Sequence, residues 1–156
     1  MTHIAIRDLA REDLLPVARI LDATGLFPSE LLPDMAEPWL SGEAPHHWLV
    51  AAEGAAVLGF AYAEHERMTE GTVNLLAIAV NPARQNGGVG KALVGELTAR
   101  LAAAGNRVLL VETSSLEGYT ATQAFYAALG FTREARVRDF YQDGDDKIVF
   151  WKRITG

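Results

Sequence analysis

The segment from residue 72 to residue 106 constrains the fold most, because it places a buried strand, a glycine-rich turn and a long helix in succession. Thr72–Val80 is an almost continuous apolar run, which is typical of a strand covered on both faces. After the turn, apolar residues recur every four positions and predict an amphipathic helix that ends at Gly105 and Asn106. These residues are Val89, Leu93, Leu97 and Leu101, with Val94 beside them.

Shorter patterns on either side complete the expected architecture. A helical stripe is formed by Leu14, Val17, Ala18 and Leu21, and Ser29 is expected to cap a second helical stretch. Further strands are predicted at His3–Arg7, His47–Ala52, Ala56–Glu64, Arg107–Thr113, Arg133–Tyr141 and Lys147–Arg153, and a further helix at Thr120–Leu129. The order β-α-α-β-β-β-α-β-α-β-β mixes hairpins with crossovers, so we predict an α/β fold with a mixed sheet and helices on both faces.

Composition removes several classes of protein. The chain has 156 residues, 49% of them hydrophobic, and no linker or repeat divides it, so residues 1–156 are interpreted as one domain. The absence of cysteine excludes disulfide scaffolds, cysteine-ligated zinc and a cysteine nucleophile. The spacing of His46, His47 and His65 does not suit a metal site, so no metal is expected.

The charges are unevenly distributed. The 14 basic and 20 acidic residues give a net charge of −6, which argues against nucleic-acid binding. No apolar stretch reaches the roughly 20 residues of a membrane helix, and we find no secretion signal, so a cytoplasmic protein without membrane contact is expected. Residues 81–111 carry four basic side chains against one acidic, and residues 34–70 carry seven acidic against one basic. The first region could attract an anion and the second a cation.

The turn between the predicted strand and the long helix is suited to binding an anion. Backbone N–H groups at a helix start carry partial positive charge, and glycines allow a phosphate to approach closely. A P-loop would need glycine at position 85 and serine or threonine at position 92, where the chain has Gln85 and Ala92. A dinucleotide fingerprint would need a third glycine at Leu93. Both of these nucleotide sites are therefore disfavoured.

The pattern that does fit is Gln/Arg-x-x-Gly-x-Gly/Ala, matched by Gln85, Gly88 and Gly90 after a strand. It resembles the acetyl-CoA loop of the GNAT superfamily of N-acetyltransferases. Residues 124–131 resemble the late helix and turn of that superfamily, in which a tyrosine, here Tyr126, precedes a Leu-Gly-Phe ending. The resemblance covers nearly the whole chain and implies a mixed sheet of about seven strands flanked by about four helices.

The resemblance implies direct transfer of an acetyl group from acetyl-CoA to a primary amine of a small molecule or peptide, and the acidic region 34–70 suggests a cationic amine. Tyr126 is implied to protonate the leaving thiolate and Glu112 to act as the base, with Glu64 and Glu66 as rival bases. Substrate contacts are expected at Trp39, Glu64 and Glu66. Cofactor contacts are implied for Ile78, Ala79, Val80, Gln85, Asn86, Gly87, Gly88, Val89, Gly90 and Lys91, with Arg84 as a further charge partner of the pyrophosphate.

One position departs from the superfamily pattern. Many members carry an asparagine about seven residues before the tyrosine, where this chain has Tyr119, so the resemblance does not extend to that contact. Two alternative functions stay open: a non-catalytic module that binds or senses acyl-CoA, and a protein N-terminal or lysine acetyltransferase. A homodimer is also left open.

Overall fold

A computed structural model describes residues 3–155 of the chain. Its helices are α1 (Leu14–Thr24), α2 (Leu32–Leu40), α3 (Val89–Ala103) and α4 (Thr120–Ala128). Its strands are β1 (Ala5–Asp8), β2 (His47–Glu53), β3 (Ala56–His65), β4 (Thr72–Val80), β5 (Val108–Ser114), β6 (Thr132–Gln142) and β7 (Asp145–Arg153). This order confirms the predicted α/β fold with seven strands and four helices.

Residues 1, 2 and 156 lie outside the described residues. The interpretation of residues 1–156 as one domain stays a prediction. So does the expectation that the chain carries no secretion signal, which rests in part on residues 1 and 2.

The seven strands form one mixed sheet in the order β1-β2-β3-β4-β5-β7-β6. All neighbours are antiparallel except β4 and β5, which run parallel and pair from Thr72↔Val108 to Leu75↔Val111. Beyond that register β5 continues to pair with β7 as far as Ser114, whereas β4 continues only with β3. The edge of β4 over residues 76–80 therefore has no strand partner on the β5 side, and the sheet opens there.

The helices cover both faces of the sheet, as predicted. The first helical pair, α1 and α2, packs on one face in a core that contains Val17, Leu21, Trp48 and Phe60. The second pair, α3 and α4, packs on the other face. All five residues of the predicted stripe on the long helix are buried there: Val89, Leu93, Val94, Leu97 and Leu101.

The prediction for Ser29 is wrong. A 3₁₀ turn (Ser29–Leu31) precedes α2, and Ser29 makes no capping hydrogen bond because Pro28 occupies the flanking position of that turn. The α-helix itself begins without a side-chain cap, and its early proline, Pro33, stands where a missing N–H group costs nothing. Other predicted boundaries shift by one or two residues, as helix and strand ends commonly do.

The buried stripe of α3 gives a stability prediction. Truncation of Leu97, which is 1% exposed, removes apolar contacts and leaves a cavity between α3 and the sheet. We expect Leu97→Ala to lower the free energy of unfolding by about 2–5 kcal/mol in urea denaturation. The matched control is Leu15→Ala on α1, where the leucine is 62% exposed and the expected change is within about 0.5 kcal/mol. Equal losses in the two variants would contradict the assigned packing.

Candidate active site

The opening between β4 and β5 holds two connected cavities. The larger, of about 470 Å³, lies against the turn before α3 and is called the loop cavity. The smaller, of about 390 Å³, lies toward the ends of β5 and β7 and is called the acidic cavity. Both are lined by the same five residues at their junction: Leu26, Ile78, Tyr119, Thr122 and Tyr126. A ligand could therefore extend from one cavity into the other.

The turn before α3 presents unpaired backbone donors to the loop cavity. Asn86 and Gly88 have left-handed φ angles of 64° and 84°, which turn the chain sharply into the helix. The first intrahelical bond of this turn runs from the Ala92 N–H to the Gly88 carbonyl, so the N–H groups of residues 88–91 have no partner within the helix. All of the predicted cofactor residues line this cavity except Gly87, which adjoins Gly88 in the turn.

The two basic side chains beside the turn, Arg84 and Lys91, differ in whether they form an ion pair. Arg84 donates two hydrogen bonds, of 3.0 and 3.1 Å, to the Glu53 carboxylate, and this pairing lowers the pKa of Glu53. Lys91 is exposed and makes no ion pair within the described part of the chain. Of the two predicted charge partners for a pyrophosphate, Lys91 is thus the one whose charge is not already used.

Close packing of α4 against α3 fixes the floor of the loop cavity. A Cβ atom added at Gly90 would lie 3.3 Å from the ring of Phe125 and 3.9 Å from the Val80 side chain. A glycine at this position lets α4 approach the first turn of α3. The packing holds Tyr126, the next residue of α4, at the junction of the two cavities.

Tyr126 combines a core ring with a hydroxyl at the cleft. The residue is 2% exposed, and its ring packs edge-on against Phe125 and Phe131, at 5.1 and 5.6 Å between centroids, with Phe150 at 5.8 Å. Its hydroxyl makes no hydrogen bond to any described residue, although the side chain lines both cavities. Burial of the residue raises the pKa of Tyr126.

The acidic cavity carries two carboxylates. Glu112 on β5 accepts a hydrogen bond of 3.3 Å from Lys147 on β7. Asp145, at the start of β7, is 7% exposed and accepts a hydrogen bond of 2.5 Å from the Ser114 hydroxyl. Burial, followed by the negative charges of Glu112 and Asp145, raises the pKa of Tyr141, which lines the same cavity.

Three predicted substrate residues are not brought into the two cavities. The indole N–H of Trp39 donates to the Leu9 carbonyl at 3.3 Å. Glu64 accepts a hydrogen bond from the Tyr62 hydroxyl, and Glu66 accepts one of 3.0 Å from the Asn74 amide. None of the described acidic residues in the region 34–70 lines either cavity. The substrate roles of Trp39, Glu64 and Glu66 stay predictions without support from this arrangement.

Sequence reasoning missed Asp145 and Tyr141 as cavity residues. Both belong to the β6–β7 hairpin, far along the chain from the glycine turn, and only the pairing of β5 with β7 brings them to the opening. The available signal was the polar run 143–146 between the last two predicted strands. It indicates a turn but does not indicate which strand the hairpin pairs with.

Comparison with known proteins identifies the family of the chain. The model of an acetyltransferase (GNAT) domain matches residues 44–133, which include β4, the glycine turn, α3, β5 and α4. The chain belongs to the GNAT family of acetyltransferases. A GNAT-family protein from Desulfovibrio desulfuricans is 33% identical, with 97% of this chain and 99% of that chain covered and a TM-score of 0.89.

More distant GNAT structures share the fold. The ribosomal-protein-S18-alanine N-acetyltransferase of Escherichia coli is 22% identical, with 99% and 96% of the two chains covered and a TM-score of 0.79. The yncA protein of Salmonella typhimurium, solved with its cofactor acetyl-CoA, is 21% identical, with coverage of 97% and 94% and a TM-score of 0.77. A search of curated proteins finds no significant match.

Over residues 3–155, none of the helices has the length and apolar character needed to cross a membrane. Within that same part of the chain, no three His, Asp or Glu side chains are grouped so that they could hold a metal ion.

Proposed function

We propose that this protein transfers an acetyl group from acetyl-CoA directly to a primary amine of a small molecule or peptide. The observation that carries the proposal is the position of Tyr126, whose hydroxyl has no partner among the described residues and whose side chain lines both the loop cavity and the acidic cavity. One cavity supplies backbone donors for an anionic ligand, and the other supplies carboxylates for a cationic one. The tyrosine stands where the two ligands would meet.

The residues of the loop cavity fit acetyl-CoA. The N–H groups of residues 88–91 point from the start of α3 and suit a pyrophosphate, with Lys91 as an available charge. The unpaired edge of β4 at Ile78, Ala79 and Val80 suits the amide groups of a pantetheine arm, which can pair with it like an added strand. The distant relative solved with acetyl-CoA has the same fold.

The chemistry assigned to this chain is proton transfer at two atoms. The bound thioester supplies the acetyl group: a C–N bond forms to the amine and the C–S bond breaks. Tyr126, whose phenol carries its proton at neutral pH, would give that proton to the departing sulfur. A base must remove the amine proton, because a lysine-like amine with a pKa of about 10.4 is mostly protonated at neutral pH.

Glu112 is the base that the geometry favours. It lines the acidic cavity with Tyr126, whereas Glu64 and Glu66 line neither cavity. Its ion pair with Lys147 at 3.3 Å orients the carboxylate without burying it, since the side chain is 26% exposed. The negative charge of Glu112 also favours a cationic acceptor in the cavity that it lines.

The first test separates catalysis from binding alone. Purified protein is expected to bind acetyl-CoA in calorimetry and to release free CoA thiol in the presence of amines drawn from small cations and N-terminal peptides. Binding without thiol release across this panel would identify a non-catalytic acyl-CoA module. Turnover with peptides alone would favour a protein N-terminal or lysine acetyltransferase, the reaction type of the distant S18-alanine relative.

Replacement of Tyr126 tests the proton donor. Tyr126→Phe keeps the buried ring and removes only a hydroxyl that has no partner among the described residues, so the melting temperature should change little. We expect kcat to fall by about 10²- to 10⁴-fold, the usual contribution of a general acid, with acetyl-CoA affinity unchanged. Tyr141→Phe, which removes the hydroxyl of another tyrosine that lines the acidic cavity, is the matched control. An unchanged kcat in Tyr126→Phe would exclude the hydroxyl from the mechanism.

Replacement of Glu112 tests the base through the pH profile. Glu112→Gln should lower kcat/KM at neutral pH and make it rise steeply with pH, because only amine that has already lost its proton in solution, with a pKa of about 10.4, can then attack. The isosteric variants Glu64→Gln and Glu66→Gln should retain the wild-type profile. A profile altered in either of those variants and unaltered in Glu112→Gln would transfer the role to the rival residue.

A further inference from the structure

Asp145 is a buried carboxylate without a counter-charge. It is 7% exposed, and the Ser114 hydroxyl, at 2.5 Å from Oδ1, is the donor that it engages among the described residues. No described Lys, Arg or His side chain makes a salt bridge to it. A buried charge is costly unless it is paired, and the opening beside Asp145 is the acidic cavity.

The neighbouring cations are already engaged with other groups. Lys147 donates to Glu112 at 3.3 Å and lies 4.0 Å from the centre of the Phe140 ring. Arg136 pairs with Asp146 at 2.5 Å, and the Asp139 N–H also donates to Asp146. Residues of the β6–β7 hairpin therefore neutralise the charge of Asp146, whereas the charge of the adjacent Asp145 has no partner in the hairpin and faces the acidic cavity.

The strand geometry sets the spacing between the two carboxylates of the cavity. Glu112 and Ser114 are two residues apart on β5, so their side chains share a face and lie about 7 Å apart. Asp145 is held by Ser114 and thus lies about that far from Glu112 along the strand. With C–C bonds of about 1.5 Å, such a distance corresponds to an alkyl spacer of roughly four or five methylene groups.

We propose that Asp145 determines acceptor specificity by binding a second cationic group of the acceptor, which makes this GNAT protein selective for aliphatic diamines. One amine would be attacked near Glu112 and Tyr126, while the other, still an ammonium, would pair with Asp145. The exposed ring of Tyr119 and the ring of Tyr141 line the same cavity and suit an ammonium group and its alkyl chain. This inference rests on the proposed acetyl transfer for its first amine, although the Asp145 contact is a binding interaction in its own right.

The experiment compares a four-carbon diamine with the four-carbon monoamine at saturating acetyl-CoA. We expect the diamine to have a KM at least about 10-fold lower in the wild type, because a hydrogen-bonded ion pair adds this much. Asp145→Asn, which retains an oxygen for Ser114, should raise the diamine KM roughly 10- to 100-fold and leave the monoamine KM within about 3-fold. Asp143→Asn removes the same charge from an exposed turn position and is the matched control.

A second readout keeps this inference separate from the proposed function. Binding of the diamine to protein saturated with CoA is measured by calorimetry in the wild type, Asp145→Asn and Asp143→Asn. Diamine binding that weakens only in Asp145→Asn supports the role of Asp145 even if no amine is acetylated, an outcome that would refute acetyl transfer alone.

Other outcomes would overturn the inference while acetyl transfer stands. One is equal kcat/KM for the diamine and the monoamine in the wild type. Another is an equal rise in the diamine KM in Asp145→Asn and Asp143→Asn, because a general loss of negative charge would then explain it. Should Asp145→Asn fail to fold, the wild-type comparison decides, since a wild type without preference for the diamine contradicts the proposal.

Discussion

The parting of β4 and β5 after Leu75 and Val111 is the constraint on which the rest of the site depends. Parallel strands normally keep their ladder, and here the ladder ends because β5 follows β7 while β4 follows β3. The opening exposes main-chain groups at the middle of a sheet, where sheet and helices hold them rigidly. A ligand can add to that edge without any rearrangement of the sheet.

Two chemically different environments meet at this opening. On one side the N-terminus of α3 offers N–H groups and partial positive charge, and on the other β5 and β7 offer carboxylates. Tyr126 stands between them, and its ring is locked by Phe125, Phe131 and Phe150. This packing gives the hydroxyl a fixed position at the junction of the two cavities, which a proton donor needs.

The pattern of charge illustrates how far linear sequence can mislead. Residues 34–70 hold most of the local acidic excess, yet Glu37 and Glu53 are paired with Arg11 and Arg84, and the region contributes no described carboxylate to the cavities. The two carboxylates that do face the cleft, Glu112 and Asp145, come from separate strands. Local charge counts could not reveal them, because their juxtaposition depends on which strands are neighbours.

The sequence by itself determined the helices and strands and their order along the chain, the buried stripe of α3 and the glycine turn. Periodicity and turn chemistry are local properties, so they can be identified without knowing which strands are neighbours in the sheet. It also located Tyr126, since that residue belongs to a contiguous motif. Only the tertiary structure decided that β7 lies between β5 and β6, which brings Asp145 and Tyr141 to the cleft and leaves Trp39, Glu64 and Glu66 outside it. Which strands lie side by side is decided by packing across the whole sheet, and no local sequence pattern indicates it.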